Sequence, residues 1–302
     1  MLKPRGSESN HKRSYHLKVG TIIDQYIIER EFARGGFSSV YLARQQKDQT
    51  QVLIKEYLPN KLAHRAWNNL VVPNNPASRI LFLQGRGLFF EEAKVLATLK
   101  HPNIVDVISF FKANDTVYLV MIYDYGITLD KILLGHSELI SEVFLCTVFR
   151  RLLAGVDFMH QRKLLHLDIK PANILIRPDN NPLLLDFGAI RYFSQQKQKP
   201  LSKVVTNGFS PVEQYDTHGQ IGPWTDIYSV GASMRACMDG KAPQSSLDRL
   251  KYDEMQSATV LHRKKYPEYL LKAVDWAMAL QAKDRPQSVA QFLQAIDPDL
   301  KR

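Results

Sequence analysis

Residues 166–188 read HLDIKPANILIRPDNNPLLLDFG. Two apolar runs, Ile174 to Ile176 and Leu183 to Leu185, flank turn-forming residues from Pro178 to Pro182, and that pattern predicts a short hairpin. Polar and charged residues gather at the open end of this hairpin: Asp168, Lys170 and Asn173 before it, Asp186 after it.

The chain has 302 residues and a formal net charge of +10. Part of that charge lies in the first eighteen residues, where Lys3, Arg5, Lys12, Arg13 and Lys18 face only Glu8, but the remainder is basic too. A basic field permits acidic proteins, membrane surfaces or nucleic acid as partners. No zinc finger and no interleaved aromatic and basic stripe occurs, so nucleic acid is not expected. Two cysteines, Cys146 and Cys237, exclude a disulfide framework and fit a reducing cytoplasm. No apolar run is long enough to span a bilayer, and the basic N-terminus lacks a signal-peptide core.

With residues 166–188 as centre, the chain resembles the eukaryotic-like serine/threonine protein kinases of bacteria, over about residues 20 to 297. The resemblance implies an α+β, two-lobed fold: an antiparallel N-lobe sheet with one key helix over about residues 21–122, and a mainly helical C-lobe over about residues 125–297, with ATP between them. A basic disordered tail over residues 1–20 and a short tail over residues 298–302 would flank this domain, with no repeat, sensor module or membrane anchor after the last helix. The implied activity is transfer of the γ-phosphate of ATP to serine or threonine hydroxyls of a protein in signalling, the chain itself included. The implied cofactors are ATP and Mg2+, and oligomeric state is left open. By the same resemblance Asp168 is the base, Lys170 lies near the transferring phosphate, and Asn173 and Asp186 hold the metal ions.

Outward from that centre, YIIEREFARGGFSSVYLARQ and QVLIKEYL read as strand, turn, strand, strand from Tyr26 to Leu58. They resemble the glycine-rich loop, with Ala33, Gly35, Gly36, Ser38 and Val40 near the nucleotide, and the strand whose Lys55 pairs with phosphates. Ala33 and Ser38 stand where the family writes glycine, and Leu53 stands where it writes alanine against adenine, which implies a tighter or shifted nucleotide site. Met121 would be the gatekeeper, Tyr123 and Asp124 part of the hinge, and Leu175 a further nucleotide contact. The stretch 58–87 reads as loop with one short helix, either tolerated decoration or a regulatory element. Its opening, Lys-Glu-Tyr-Leu-Pro, is similar to one group of bacterial kinases.

The helix from about Leu88 to Lys100 aligns Leu88, Val95, Leu96 and Leu99 with Glu92 on one apolar face. A carboxylate in such a face needs a partner, and Lys55 is the candidate. A second long stripe, at 145, 148, 149, 152, 153, 156 and 159, predicts a buried scaffold helix. His160 and His166 are too few for a metal site.

Residues 191–203 correspond to the activation segment, with Ser194, Ser202 and Thr206 as hydroxyl-bearing candidates for phosphate. The arginine that commonly anchors such a phosphate is replaced by Leu167, which implies activity independent of that contact. TNGFSPVEQY resembles the substrate-facing loop; Glu213 is expected to pair with Arg285, and Asp226 to cap a helix, to bond catalytic-loop amides, or both. Two rival readings are a pseudokinase scaffold, motivated by Ala33, Ser38, Leu53 and Leu167, and a small-molecule kinase, against which the Ser-Pro-Val-Glu segment speaks.

Overall fold

A computed structural model describes residues 16–192 and 204–297. Residues 1–15 of the tail expected over 1–20, all of the tail expected over 298–302, and Ser194 and Ser202 lie outside them. The chain divides into two compact units, one holding residues up to Lys94 and Val107–Tyr123, the other Val95–Asp106 and everything from Asp124 on.

The first unit is built on a six-stranded antiparallel sheet of β1 (Ile22–Ile23), β2 (Tyr26–Arg34), β3 (Ser38–Gln45), β4 (Gln51–Tyr57), β7 (Val107–Ala113) and β8 (Thr116–Ile122), in the order β1-β2-β3-β4-β8-β7. Side chains alternate between its faces. One face carries a core of Ile23, Tyr26, Ile28, Tyr41, Ala43, Val52, Ile54, Tyr118 and Val120. Leu17 belongs to this core at 2% exposure, so part of the stretch assigned to a tail packs into the first unit. An apolar residue among lysines was hidden by the composition of its neighbours.

Residues 58–87 are not mainly loop. They form a hairpin of β5 (Ala63–Arg65) and β6 (Val71–Pro73), followed by a helix, α1, over Pro76–Ala97. Asn75 accepts a hydrogen bond from the Ser78 amide at 2.8 Å and Pro76 opens the helix, so the residues that suggested loop are its start signal. Gly85, inside the helix, permits close approach: a Cβ there would come 2.0 Å from the Tyr57 hydroxyl oxygen. Tyr57 packs on Phe82 and Phe89, which turns that side of α1 inward and leaves Leu88 exposed, contrary to the expected stripe.

The second unit is mainly helical. Its elements are β9 (Ile127–Thr128), α2 (Leu129–Gly135), α3 (Glu142–Gln161), β10 (Leu164–Leu165), β11 (Ile174–Arg177), β12 (Asn181–Leu184), β13 (Arg191–Tyr192), α4 (Val212–Tyr215), α5 (Pro223–Asp239), α6 (Ser246–Lys251), α7 (Ala258–Leu261), α8 (Glu268–Ala277) and α9 (Val289–Ile296). Scaffold helix α3 is capped by Ser141 and buries all seven residues of the predicted stripe. Residues 95–106 join this unit because Leu184 donates to the Asn103 carbonyl at 2.9 Å, Val105 donates to the Leu184 carbonyl at 3.0 Å, and Asn103 Nδ2 donates to the Pro182 carbonyl at 2.7 Å.

Candidate active site

The hairpin formed by β11 and β12 pairs Ile174 with Leu184 and Ile176 with Pro182, so the turn is shorter than expected, Pro178–Asn180. Asp179 and Asn180 make it with φ of 60° and 52°, the left-handed region that Asp and Asn tolerate. Beyond the pairing, Leu185 donates to the Asn173 carbonyl at 2.8 Å, which brings Asn173 and Asp186 to the same end of the hairpin.

Asp168 sits beside them, 8% exposed, with its carboxylate fully engaged. Lys170 Nζ donates to both its oxygens, at 2.9 and 2.8 Å, and Asn173 Nδ2 donates to Oδ2 at 2.9 Å. The Thr206 hydroxyl donates to Oδ1 at 2.8 Å and accepts from Lys170 at 3.1 Å. A hydroxyl is thus hydrogen-bonded to the proposed base.

Asp226 orders the backbone ahead of Asp168. Buried at 1% exposure, it accepts from the His166 amide at 2.9 Å, the Leu167 amide at 2.8 Å and His160 Nε2 at 2.8 Å. Burial alone would raise its pKa, but the His160 hydrogen bond and the Leu167 amide hold it below the ordinary carboxylate value. The cap expectation fails, because Gly222 is the N-cap of α5 and Asp226 lies within its first turn.

His166 accepts from the Asp168 amide through Nδ1 at 3.3 Å and donates through Nε2 to the Leu185 carbonyl at 3.2 Å, and these contacts define a neutral ring with its proton on Nε2. Complete burial lowers its pKa in keeping with that state. Its ring centroid lies 4.8 Å from that of Phe187, the residue after Asp186. His160 Nε2 bonds to Asp226 and both ring nitrogens of His166 are engaged, and among the described residues no group of three or more His, Cys, Asp or Glu converges. Magnesium needs no such cluster, because one or two protein oxygens with phosphate and water suffice, and Asn173 and Asp186 offer that donor set.

Leu167, the residue in the usual place of arginine, is buried in an apolar cluster with Leu165, Ala189, Val204 and Ile221. Gln214 Nε2 donates to the Leu167 carbonyl at 2.6 Å and to the Val204 carbonyl at 3.0 Å. Gln214 had no signal in the sequence beyond its place in VEQY. Glu213 next to it forms a two-toothed pair with Arg285, at 2.7 and 3.1 Å, as expected. Gly208, at φ 84°, has no alternative, since a Cβ would meet the Pro243 carbonyl at 2.7 Å.

In the first unit, strand register places the predicted nucleotide residues on one face. Ala33 pairs with Val40, Val40 with Lys55, and Leu53 with Met121. Gly35 and Gly36 form the turn into Ser38, where the Gly35 amide donates to the Ser38 carbonyl at 2.9 Å. Lys55 is 8% exposed, its Nζ lying 5.8 Å from the Phe89 ring centroid, and Glu92 follows one turn later on α1, half-buried. Tyr123 meets Phe32 edge-on at 5.9 Å. In the second unit Leu175 lies on β11 opposite Thr128, and Asp124 lies 3.6 Å from Arg177.

The face of the sheet opposite Lys55 holds a group that the sequence reading missed. Glu56, wholly buried, accepts from the Tyr41 hydroxyl at 2.9 Å, the Tyr118 hydroxyl at 2.6 Å and Arg65 of β5. A glutamate on a strand and an arginine nine positions later in an apparent loop give no periodic signal.

A family profile for the protein kinase domain matches residues 26–296, and the chain belongs to that family. It is similar to serine/threonine-protein kinase D of Synechocystis sp., 28% identical over 91% of this chain and 52% of that protein. It is also similar to serine/threonine-protein kinase PknA of Nostoc sp., 27% identical over 90% of this chain and 47% of that protein. The chain therefore spans about half the length of these relatives. A solved structure described as "PpkA-294 apo form" superposes with a TM-score of 0.84 at 30% identity, covering 94% of this chain and all of that one. No described helix is long and apolar enough to cross a membrane.

Proposed function

We propose that this chain transfers the γ-phosphoryl group of ATP to serine or threonine hydroxyls of proteins, itself among them, and that it does so in the cytoplasm without an arginine-anchored phosphate in its activation segment. The observation that carries the reading is the contact of the Thr206 hydroxyl with Asp168 and Lys170. It supports an Asp168 carboxylate able to take a hydroxyl proton beside a lysine able to neutralise charge.

In this reading Asp168 accepts the proton of the acceptor hydroxyl as its oxygen bonds to the γ-phosphorus and the bond to the bridging oxygen of ADP breaks. Lys170 moves from Asp168 to the phosphate oxygens as negative charge builds there. Mg2+ supplies charge neutralisation when bound, and Asn173 and Asp186 are the residues that would hold it. Lys55, with Glu92 as its carboxylate partner, orients the α- and β-phosphates. The apolar seat of Leu167 and the two Gln214 hydrogen bonds support an activation segment held without phosphate.

The test is incorporation of labelled phosphate from ATP and magnesium into the chain and a generic protein acceptor, by wild type and Asp186→Ala, with sites located by mass spectrometry. Serine or threonine phosphate that disappears in the variant is expected. Label on metabolites alone, or none with ATP still bound, would overturn the reading.

A further inference from the structure

The segment that follows Lys55 is attached at three places, all within the first unit. The Leu58 amide donates to the Phe37 carbonyl at 3.0 Å and the Asn60 amide donates to the Gly36 carbonyl at 3.1 Å. Two of the three residues in the turn between β2 and β3 thus take their backbone partners from the start of this segment. Further on, Arg65 reaches beneath the sheet to Glu56 and also donates from Nη1 to the Asn69 carbonyl at 3.0 Å. The far strand, β6, is fixed by the Val71 amide donating to the Asn114 carbonyl at 2.8 Å, and the closing Asn74 amide donates to Leu62 at 2.8 Å.

The ionic anchor is costly to build. A buried carboxylate and guanidinium lose hydration that their attraction repays only when the remaining lone pairs are also satisfied. Glu56 meets that condition with tyrosines from β3 and β8, the strands on either side of its own, and Tyr41 in turn accepts from the Leu17 amide at 3.3 Å. An apolar residue at position 56 would fill the same core without fixing β4 against β3, β8 and the hairpin at one point. Lys55 is the next residue on that strand and projects from the other face.

We propose that residues 58–73 are a positioning clamp for the nucleotide: the Leu58 and Asn60 amides set the glycine turn, and Arg65 with Glu56 sets the strand that presents Lys55. The inference rests on the reading of Lys55 and residues 35–37 as nucleotide contacts. Arg65 and Glu56 are positioning residues, as they act through Lys55. The clamp lowers the ordering cost of binding, because the turn and the lysine are already placed when phosphate arrives.

Two variants test it, measured by direct ATP binding in the absence of acceptor, by hydrogen exchange and by thermal unfolding. Asn60→Pro removes only the amide that reaches Gly36. Position 60 is exposed and follows Pro59, whose carbonyl accepts from the Leu62 and Ala63 amides, so it is the second residue of a turn, where proline is favoured. Glu56→Gln combined with Arg65→Met removes both buried charges and leaves neither stranded. Each should bind ATP about five- to tenfold more weakly than wild type. Asn60→Pro should also exchange faster at residues 35–38 with its melting temperature unchanged. Catalysis at saturating ATP should stay within about threefold, as expected when only binding is lost. Wild-type ATP affinity in both, with or without a fall in melting temperature, would overturn the clamp, as would a fall in kcat at unchanged affinity. Lys55→Ala separates this from the site itself: if it too binds and transfers as wild type, the nucleotide reading fails, whereas loss in Lys55→Ala alone refutes only the clamp.

Discussion

Leu167 holds a left-handed backbone at φ 65° with its side chain 3% exposed, a conformation that costs a bulky residue about 1–3 kcal/mol. The surroundings over-determine it: Asp226 takes its amide, Gln214 donates to its carbonyl, and an apolar cluster takes its side chain. That backbone is what aims Asp168. Leu167→Arg, which restores the usual arginine, would place a charge in the apolar cluster. It is expected to lose about 2 kcal/mol or more in denaturant unfolding without making activity depend on phosphate. Asp168→Asn keeps the shape but cannot take a proton. Its kcat should fall by about 10²- to 10⁴-fold, read from phosphate incorporation into a protein acceptor by enzyme confirmed as folded.

At the scale of elements, the contacts described around Leu167, from Gln214 and from the apolar cluster, involve no phosphate. Enzyme treated exhaustively with phosphatase is expected to retain its rate. A preparation left inactive by that treatment and revived by rephosphorylation would contradict the apolar anchor. Glu213, the neighbour of Gln214, has a carboxylate that meets Arg285 at 0% side-chain exposure of the arginine and accepts from the Thr225 hydroxyl at 3.0 Å. Arg285→Met strands a buried carboxylate and should cost about 3–5 kcal/mol in equilibrium unfolding. Elsewhere it was the extent of an element that surprised: α1 begins at Pro76, twelve residues before the helix that periodicity suggested, because Gly85 and Gly87 interrupted its pattern. Gly85 is there for Tyr57, a partner no local window contains.

For the whole molecule, three groups of the second unit, His166, His101 and Asp226, give stability one direction of pH dependence. Burial lowers the pKa of His166, so between the folded value and its ordinary 6.5 the unfolded chain binds a proton that the folded chain does not. That contribution is complete above the ordinary value and fades as pH falls. His101, lowered by burial and by Arg162, acts the same way. Asp226, held below the ordinary 3.8, adds stability that is present above that value and lost as pH falls through its folded pKa. Unfolding midpoints in denaturant should therefore drop from pH 7.5 to pH 5.5 through the histidines, and further below pH 4 through Asp226. His166→Gln should flatten the first step, and an unchanged slope in that variant would assign it elsewhere.

By itself the sequence determined the family, the α3 stripe, the hairpin after Asn173 and the partners Glu213 and Arg285, because each is either local and periodic or part of a motif whose residue types the chemistry dictates. The grouping of Asp168, Lys170, Asn173 and Asp186 about one end of that hairpin was legible for that reason. Tertiary structure alone decided that Thr206 bonds to Asp168, that Gln214 ties Leu167 to Val204, that Leu17 enters the core, and that Arg65 reaches Glu56. These pairings join residues far apart in the chain or hidden in a polar stretch. Which of several donors meets a buried carboxylate depends on packing and on the need to satisfy every buried polar group, and neither is written in any short run of residues.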